Sequence, residues 1–190
     1  LAKRKGPLKR IIQRVGPMYL MTNPIDSPCA ALCKSVIFQQ LSTPAARSIL
    51  NKVKSYFGGE LPSPSAISMS KEQELRSLGL SKAKVASLKD IAAKSLGGNV
   101  PSLSKMKMME DEAIIEQLCK IRGIGRWSVE MLLIFRLGRG DVWPASDLAI
   151  RKALAKMLGR DSIRAKEARE LALAWTPYRS VASWYLWRSL

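Results

Sequence analysis

Helix-start and helix-stop signals punctuate this sequence almost from end to end, and they restrict the chain to an all-helical fold. Asp26-Ser-Pro28 sets a capping residue before a proline suited to a first helical turn, and opens a helix to about Gln39. Thr43-Pro44 repeats the signal for a helix that reaches Phe57 and stops at Gly58-Gly59. Leu61-Pro-Ser-Pro64 reads as a loop. Ser70 with Gln73 three residues on predicts a capping box, and Gly79 ends that short helix. Ser81 caps the next, which runs to Gly97-Gly98. Helical patterns follow at about Glu110–Lys120, Met131–Phe135, Leu148–Leu158, Ala165–Trp175 and Pro177–Arg188. No segment alternates apolar and polar residues between hairpin turns. The expectation is an all-α protein of about nine to ten helices, and the length fits one domain, or one domain folded as two lobes.

Charge narrows the function. The 190 residues carry 32 Lys and Arg against 15 Asp and Glu, a net +17. Self-repulsion on that scale points to a polyanionic partner. Residues 1–14 hold Lys3, Arg4, Lys5, Lys9, Arg10 and Arg14 without one acid. They read as a basic N-terminal arm of about twenty residues, solvated and partly mobile, available to phosphates. The basic residues are spread over many helices, which disfavours a membrane-surface protein. No apolar run approaches the ~18–20 residues that span a bilayer, and the basic start lacks the apolar stretch of a secretion signal.

Histidine is absent, which removes Ser–His and Cys–His catalysis and His-ligated metals. Three cysteines, Cys29, Cys33 and Cys119, are too few for a four-thiolate zinc or iron–sulfur site. An odd count fits a reducing compartment, so the expected location is intracellular. Cys29 and Cys33, four residues apart in an apolar segment, read as core thiols on one helix face.

Two constellations carry chemistry. In Leu118-Cys-Lys-Ile-Arg-Gly-Ile-Gly-Arg-Trp-Ser128, two glycines sit between helical patterns. Glycines allow a sharp turn through positive φ and leave the amides of the next helix open to an anion. A plain helical hairpin is the alternative use of the same residues. In Leu137-Gly-Arg-Gly-Asp-Val-Trp-Pro-Ala-Ser-Asp147, a Gly/Pro-rich loop delivers Asp147 to a helix start. Asp147 reads both as an N-cap and as a carboxylate able to stabilise a cationic transition state. Asp141 at the loop entry is its nearby rival. Eight of the twelve aromatics lie between Trp127 and Trp187, mostly core, with enough tryptophan for a base-stacking pocket.

Together, Ile121–Trp127 and Asp141–Asp147 resemble the helix-hairpin-helix (HhH-GPD) DNA glycosylase superfamily. Ile37-Phe-Gln-Gln-Leu-Ser42, Pro177-Tyr-Arg-Ser180 and Tyr185-Leu-Trp187 resemble its 3-methyladenine DNA glycosylase II branch. The resemblance covers about residues 20–190, with the hairpin at 118–136 and the catalytic loop at 138–147. It implies two helical lobes with the active site in a central cleft. It implies Asp147 as the catalytic carboxylate, with Trp127, Met131 and Trp187 around the base pocket. Gly123, Gly125 and the following amides, through Arg126 and Ser128, would grip a phosphate. Gln40, with Gln39 beside it, would fill the gap left by a flipped base. Backbone carbonyls of Cys119, Ile121 and Ile124 would hold a structural monovalent cation, and catalysis would need no cofactor. The implied partner is double-stranded DNA with alkylated bases, bound by a monomer.

Two departures sharpen this. Lyase-type members carry a lysine where this chain has Trp127, so no Schiff base can form and hydrolysis alone is expected. The four-cysteine cluster of another branch is missing. A noncatalytic DNA-binding module and a same-fold glycosylase for another lesion are the rival readings.

Overall fold

The computed structural model describes residues 1, 6–18 and 27–190. Among them are twelve α-helices, one 3-10 turn and no strand, so the all-α expectation holds. The helices are α1 (Pro7–Val15), α2 (Pro28–Phe38), α3 (Thr43–Tyr56), α4 (Pro64–Met69), α5 (Glu72–Ser77) and α6 (Lys82–Leu96). They continue with α7 (Leu103–Lys107), α8 (Asp111–Leu118), α9 (Arg126–Phe135), α10 (Leu148–Leu158), α11 (Ala165–Ala172) and α12 (Arg179–Arg188). The 3-10 turn, Leu173–Trp175, extends α11. The helix count exceeds the sequence expectation because the short α4 and α7, capped by Ser63 and Ser102, are single turns too brief to show a period.

Two compact units make up the chain, Pro24–Leu132 and Leu1–Asn23 with Leu133–Leu190. In the first, α2 packs on α3 and α6, and α4 and α5 pack on α6. Leu32, Ile37, Ile67, Leu75, Leu88 and Ile91 are fully buried there. Cys29 and Cys33 are buried in the same interior as free thiols, while Cys119 is exposed. In the second unit, α1, α10 and α12 pack mutually around Leu8, Ile11, Ile150, Leu154, Ala182 and Leu186.

The basic N-terminal stretch is not a free arm over its described part. Leu8 and Ile11 are buried in the core, and Ile12 and Val15 pack against it. These four positions follow helical spacing, so burying that stripe outweighs the repulsion among Lys9, Arg10 and Arg14, which stay exposed. The Tyr185 hydroxyl donates to Gly16 O at 3.0 Å, and Arg14 donates to Ser189 O at 3.3 Å. Lys3, Arg4, Lys5 and Asp26 lie outside the described residues. The capping box also differs. Ser70 donates to Ala66 O, ending α4, and Glu74 rather than Gln73 accepts from the Lys71 N–H at 2.9 Å. A carboxylate is the stronger acceptor at a helix start.

Candidate functional site

In the Pro24–Leu132 unit the hairpin between α8 and α9 is tied by two tight backbone turns. The Ile121 N–H donates to Leu118 O at 3.0 Å, and the Ile124 N–H donates to Ile121 O at 3.1 Å. Burial of Ile121 and Ile124 anchors the turn from beneath. The two glycines do different things. Gly123 has φ +78°, and a Cβ there would lie 2.3 Å from Ser87 Oγ. Gly125 lacks positive φ, and a Cβ there would meet nothing within 4 Å. Gly123 is therefore demanded by the fold, and Gly125 leaves open space before the first amides of α9. The Ser128 N–H donates back to Gly125 O at 3.0 Å, and a helix start presents the positive end of its dipole to an anion.

Arg126 sends its guanidinium to Glu112 and Glu130, with Nη1–Oε2 at 2.9 Å and Nε–Glu130 Oε1 at 3.1 Å. Trp127 is 42% exposed, Met131 is half-buried one turn on, and Ser128 is buried. Gln39 Nε2 donates to Gly123 O at 2.9 Å and reaches Ser128 Oγ at 3.5 Å. The next residue, Gln40, is exposed and has φ +56°, the one non-glycine with positive φ among the described residues. Such a conformation costs about 1 kcal/mol or more and points to function when its surroundings enforce it.

Asp147 lies in the other unit. Trp143 is buried, the Asp147 N–H donates to Pro144 O at 2.9 Å, and the Asp147 side chain caps α10. Its Oδ1 accepts from the Ile150 N–H at 2.8 Å and from Trp187 Nε1 at 3.2 Å. At 8% exposure it is a nearly buried carboxylate held by two N–H donors at a helix N-terminus. The Trp187 ring stacks on Phe135, with centroids 5.7 Å apart and planes 30° apart.

The rival carboxylate is accounted for. Asp141 Oδ1 accepts from Arg179 Nε at 2.8 Å and from the Arg179 N–H at 3.1 Å, and its Oδ2 accepts from Nη2 at 2.9 Å. Ser180 completes the clamp: its Oγ donates to Arg139 O at 2.6 Å and accepts from the Val142 N–H at 2.9 Å. Its own N–H donates to Gly140 O. Arg179 and Ser180 stand out in the sequence only as a matching stretch. Here they fix the loop that ends at Asp147.

The Arg179 guanidinium holds the Asp141 carboxyl below its usual range, against the opposing effect of partial burial. A depressed carboxylate stabilises the fold above its unfolded pKa, and that contribution fades as pH falls through the lower folded value. Arg179→Met is expected to lose about 1–2 kcal/mol at pH 7. Urea titrations should show the gap to wild type constant down to about pH 4 and narrowing below it. A gap that ignores pH would refute the clamp's electrostatic character.

Three comparisons bear on this arrangement. The profile of the HhH-GPD superfamily of base excision DNA repair proteins matches residues 33–177. The DNA-3-methyladenine glycosylase 1 of Schizosaccharomyces pombe is 37% identical, across 95% of this chain and 81% of that protein. The alkylbase DNA glycosidase-like protein mag2 of the same yeast is 33% identical, across 94% and 85%. The solved structure of the S. pombe 3-methyladenine DNA glycosylase Mag1 in complex with abasic DNA superimposes with a TM-score of 0.88. It is 34% identical and covers 99% of this chain and 93% of that one.

Proposed function

Because the chain belongs to the HhH-GPD superfamily of base excision DNA repair proteins, we propose that it is a monofunctional DNA glycosylase acting as a monomer on alkylated purines in duplex DNA. The observation that carries this reading is Asp147, a nearly buried carboxylate held by Ile150 N–H and Trp187 Nε1 at the end of a clamped loop. The similarity to 3-methyladenine glycosylases supports the lesion class.

The steps follow from charge and geometry. Seventeen Lys and Arg against five acids fall in the unit that carries Asp147, so most of the +17 sits there. That excess draws the duplex in a strongly salt-dependent way. The open space at Gly125 lets a phosphate reach the first amides of α9. Arg126 acts there through its backbone N–H, since its side chain is paired with Glu112 and Glu130. The damaged nucleotide leaves the stack, Gln40 enters the gap, and the base meets aromatic surface at Trp127 or Trp187.

An N-alkylated purine such as 3-methyladenine or 7-methylguanine is cationic and leaves readily. Breaking its N-glycosidic bond sends the bonding pair to the base and leaves oxocarbenium character on the sugar. Asp147 stabilises that charge and orients water, which adds to the sugar, gives up a proton to solvent and leaves an abasic site. Trp127 stands where a lyase would need an amine, so the strand stays intact.

The carbonyls of Cys119, Ile121 and Ile124 are oxygen donors suited to a hard cation. Ile121 O accepts one hydrogen bond from the Ile124 N–H and keeps a second lone pair. These three would hold a structural monovalent cation. No helix among the described residues is long and apolar enough to cross a membrane. A protein acting on genomic DNA belongs inside the cell.

Methylated duplex DNA incubated with the full chain should yield free methylpurine, with strand breaks appearing only after alkali. Breaks before alkali would replace the hydrolase reading with a lyase. Salt-sensitive binding without release from methylated DNA or a panel of damaged bases would leave a noncatalytic binding module.

A further inference from the structure

Four side chains of α6 touch the turn after α2 and the hairpin before α9, both in the Pro24–Leu132 unit. Lys84 Nζ donates to Ile37 O at 2.8 Å and to Gln39 O at 2.9 Å, closing the C-terminal end of α2. Ser87 Oγ is the atom against which Gly123 packs. Asp90 accepts from the Arg122 N–H at 2.7 Å. Lys94 Nζ donates to Lys120 O and pairs with Asp90 at 3.1 Å. Positions 84, 87, 90 and 94 line one flank of α6, beside the residues Leu88, Ile91 and Ala92 that it buries in the core.

We propose that this polar flank of α6 is a positioning bar that holds the Gln39–Gln40 turn and the 118–125 hairpin in one fixed geometry, with Lys84 coupling phosphate grip to probing by Gln40. The inference rests on the glycosylase reading above.

The physical case begins with Gln40. A glutamine at φ +56° reverts to ordinary backbone unless both sides of the turn are pinned. Lys84 pins the carbonyl before it, and the Gln39 side chain pins the turn to Gly123 O. An ammonium at the negative end of α2 satisfies carbonyls that have no amide partner. Partial burial lowers the Lys84 pKa, consistent with a side chain turned inward rather than offered to phosphate. The hairpin is held by the same helix through Asp90 and Lys94, so the two turns cannot shift independently while α6 is intact.

The test compares wild type, Lys84→Met and Lys84→Arg as full chains. Affinity is measured for an intact duplex and for the same duplex carrying a stable abasic-site analogue, beside single-turnover release of methylpurine. Lys84→Met is expected to cut the preference for the abasic duplex about tenfold and the release rate similarly, a loss of about 1.4 kcal/mol of coupling. Intact-duplex affinity should stay within about threefold, less than one phosphate contact contributes at low salt. Lys84→Arg, which can span the same two carbonyls, should recover most of both.

An equal loss on both duplexes would make Lys84 a phosphate contact and overturn the proposal. So would a folded Lys84→Met with wild-type preference and release. A wild type with neither abasic preference nor release removes the glycosylase reading itself, and the proposal with it. Should Lys84→Met fail to fold, Lys84→Gln, which keeps a donor without the charge, decides between the same outcomes.

Discussion

Asp147→Asn should fold, bind DNA and release almost no base. Asparagine caps helices as well as aspartate does, and its carbonyl oxygen can accept from both Ile150 N–H and Trp187 Nε1. The melting temperature should therefore move little. What disappears is the negative charge opposite a developing oxocarbenium ion. Removing one preorganised electrostatic partner costs about 10²–10³-fold in rate. The lower end applies to cationic bases, which leave most easily. Affinity for a duplex with an abasic-site analogue should be kept or improved, because a buried carboxylate near phosphates is gone. Single-turnover release from methylated DNA checks the first half, and binding by fluorescence anisotropy the second. Wild-type release by Asp147→Asn would assign the chemistry to another residue, and Asp141 is a poor candidate while Arg179 occupies both of its oxygens.

The N-cap position of Asp147 was legible from its place in the sequence. An acid following a Gly/Pro-rich loop and preceding an apolar period is an N-cap, and an N-cap is where an ionised carboxylate is most easily held. The hairpin was legible from Gly-x-Gly between two helical patterns, yet its glycines are not equivalent. Only contact with α6 shows which one the backbone requires. Long-range polar contacts left no periodic trace. Lys84, Asp90 and Lys94 donate or accept at backbone groups 47, 32 and 26 residues away. Arg179 and Ser180 reach back some 38–41 residues to the loop before Asp147 in the same hidden way. The first helix shows the opposite failure. Leu8, Ile11, Ile12 and Val15 carry the right spacing, but six cations around them made the segment read as an arm. Burial of a narrow apolar stripe won over charge density because Lys9, Arg10 and Arg14 stay exposed to water.

Gly123→Ala and Gly125→Ala, one methyl group each and two residues apart, should fail in different ways. At Gly123 the methyl meets Ser87 Oγ at 2.3 Å and Ser87 Cβ at 3.0 Å, on a backbone at φ +78°. The left-handed conformation costs an alanine about 1–2 kcal/mol, and displacing a packed side chain adds about 1–3 kcal/mol. A loss of about 2–5 kcal/mol is expected in urea unfolding, a large share of a typical domain's stability. Ser87→Ala removes the closer atom. The double variant should therefore recover about 1 kcal/mol or more relative to additivity, while the backbone cost remains. At Gly125 the methyl meets nothing within 4 Å and the backbone is unstrained. Stability should stay within about 0.5 kcal/mol of wild type. The methyl instead stands in the space through which a phosphate would approach the first amides of α9. Gly125→Ala should weaken intact-duplex binding about tenfold or more, the cost of one blocked charge-assisted contact, without changing the unfolding midpoint. Equal effects of the two substitutions on stability would mean the hairpin is only a structural turn. Loss of binding confined to Gly125→Ala would locate the phosphate grip at the start of α9, where the helix has amides to offer and no side chain in the way.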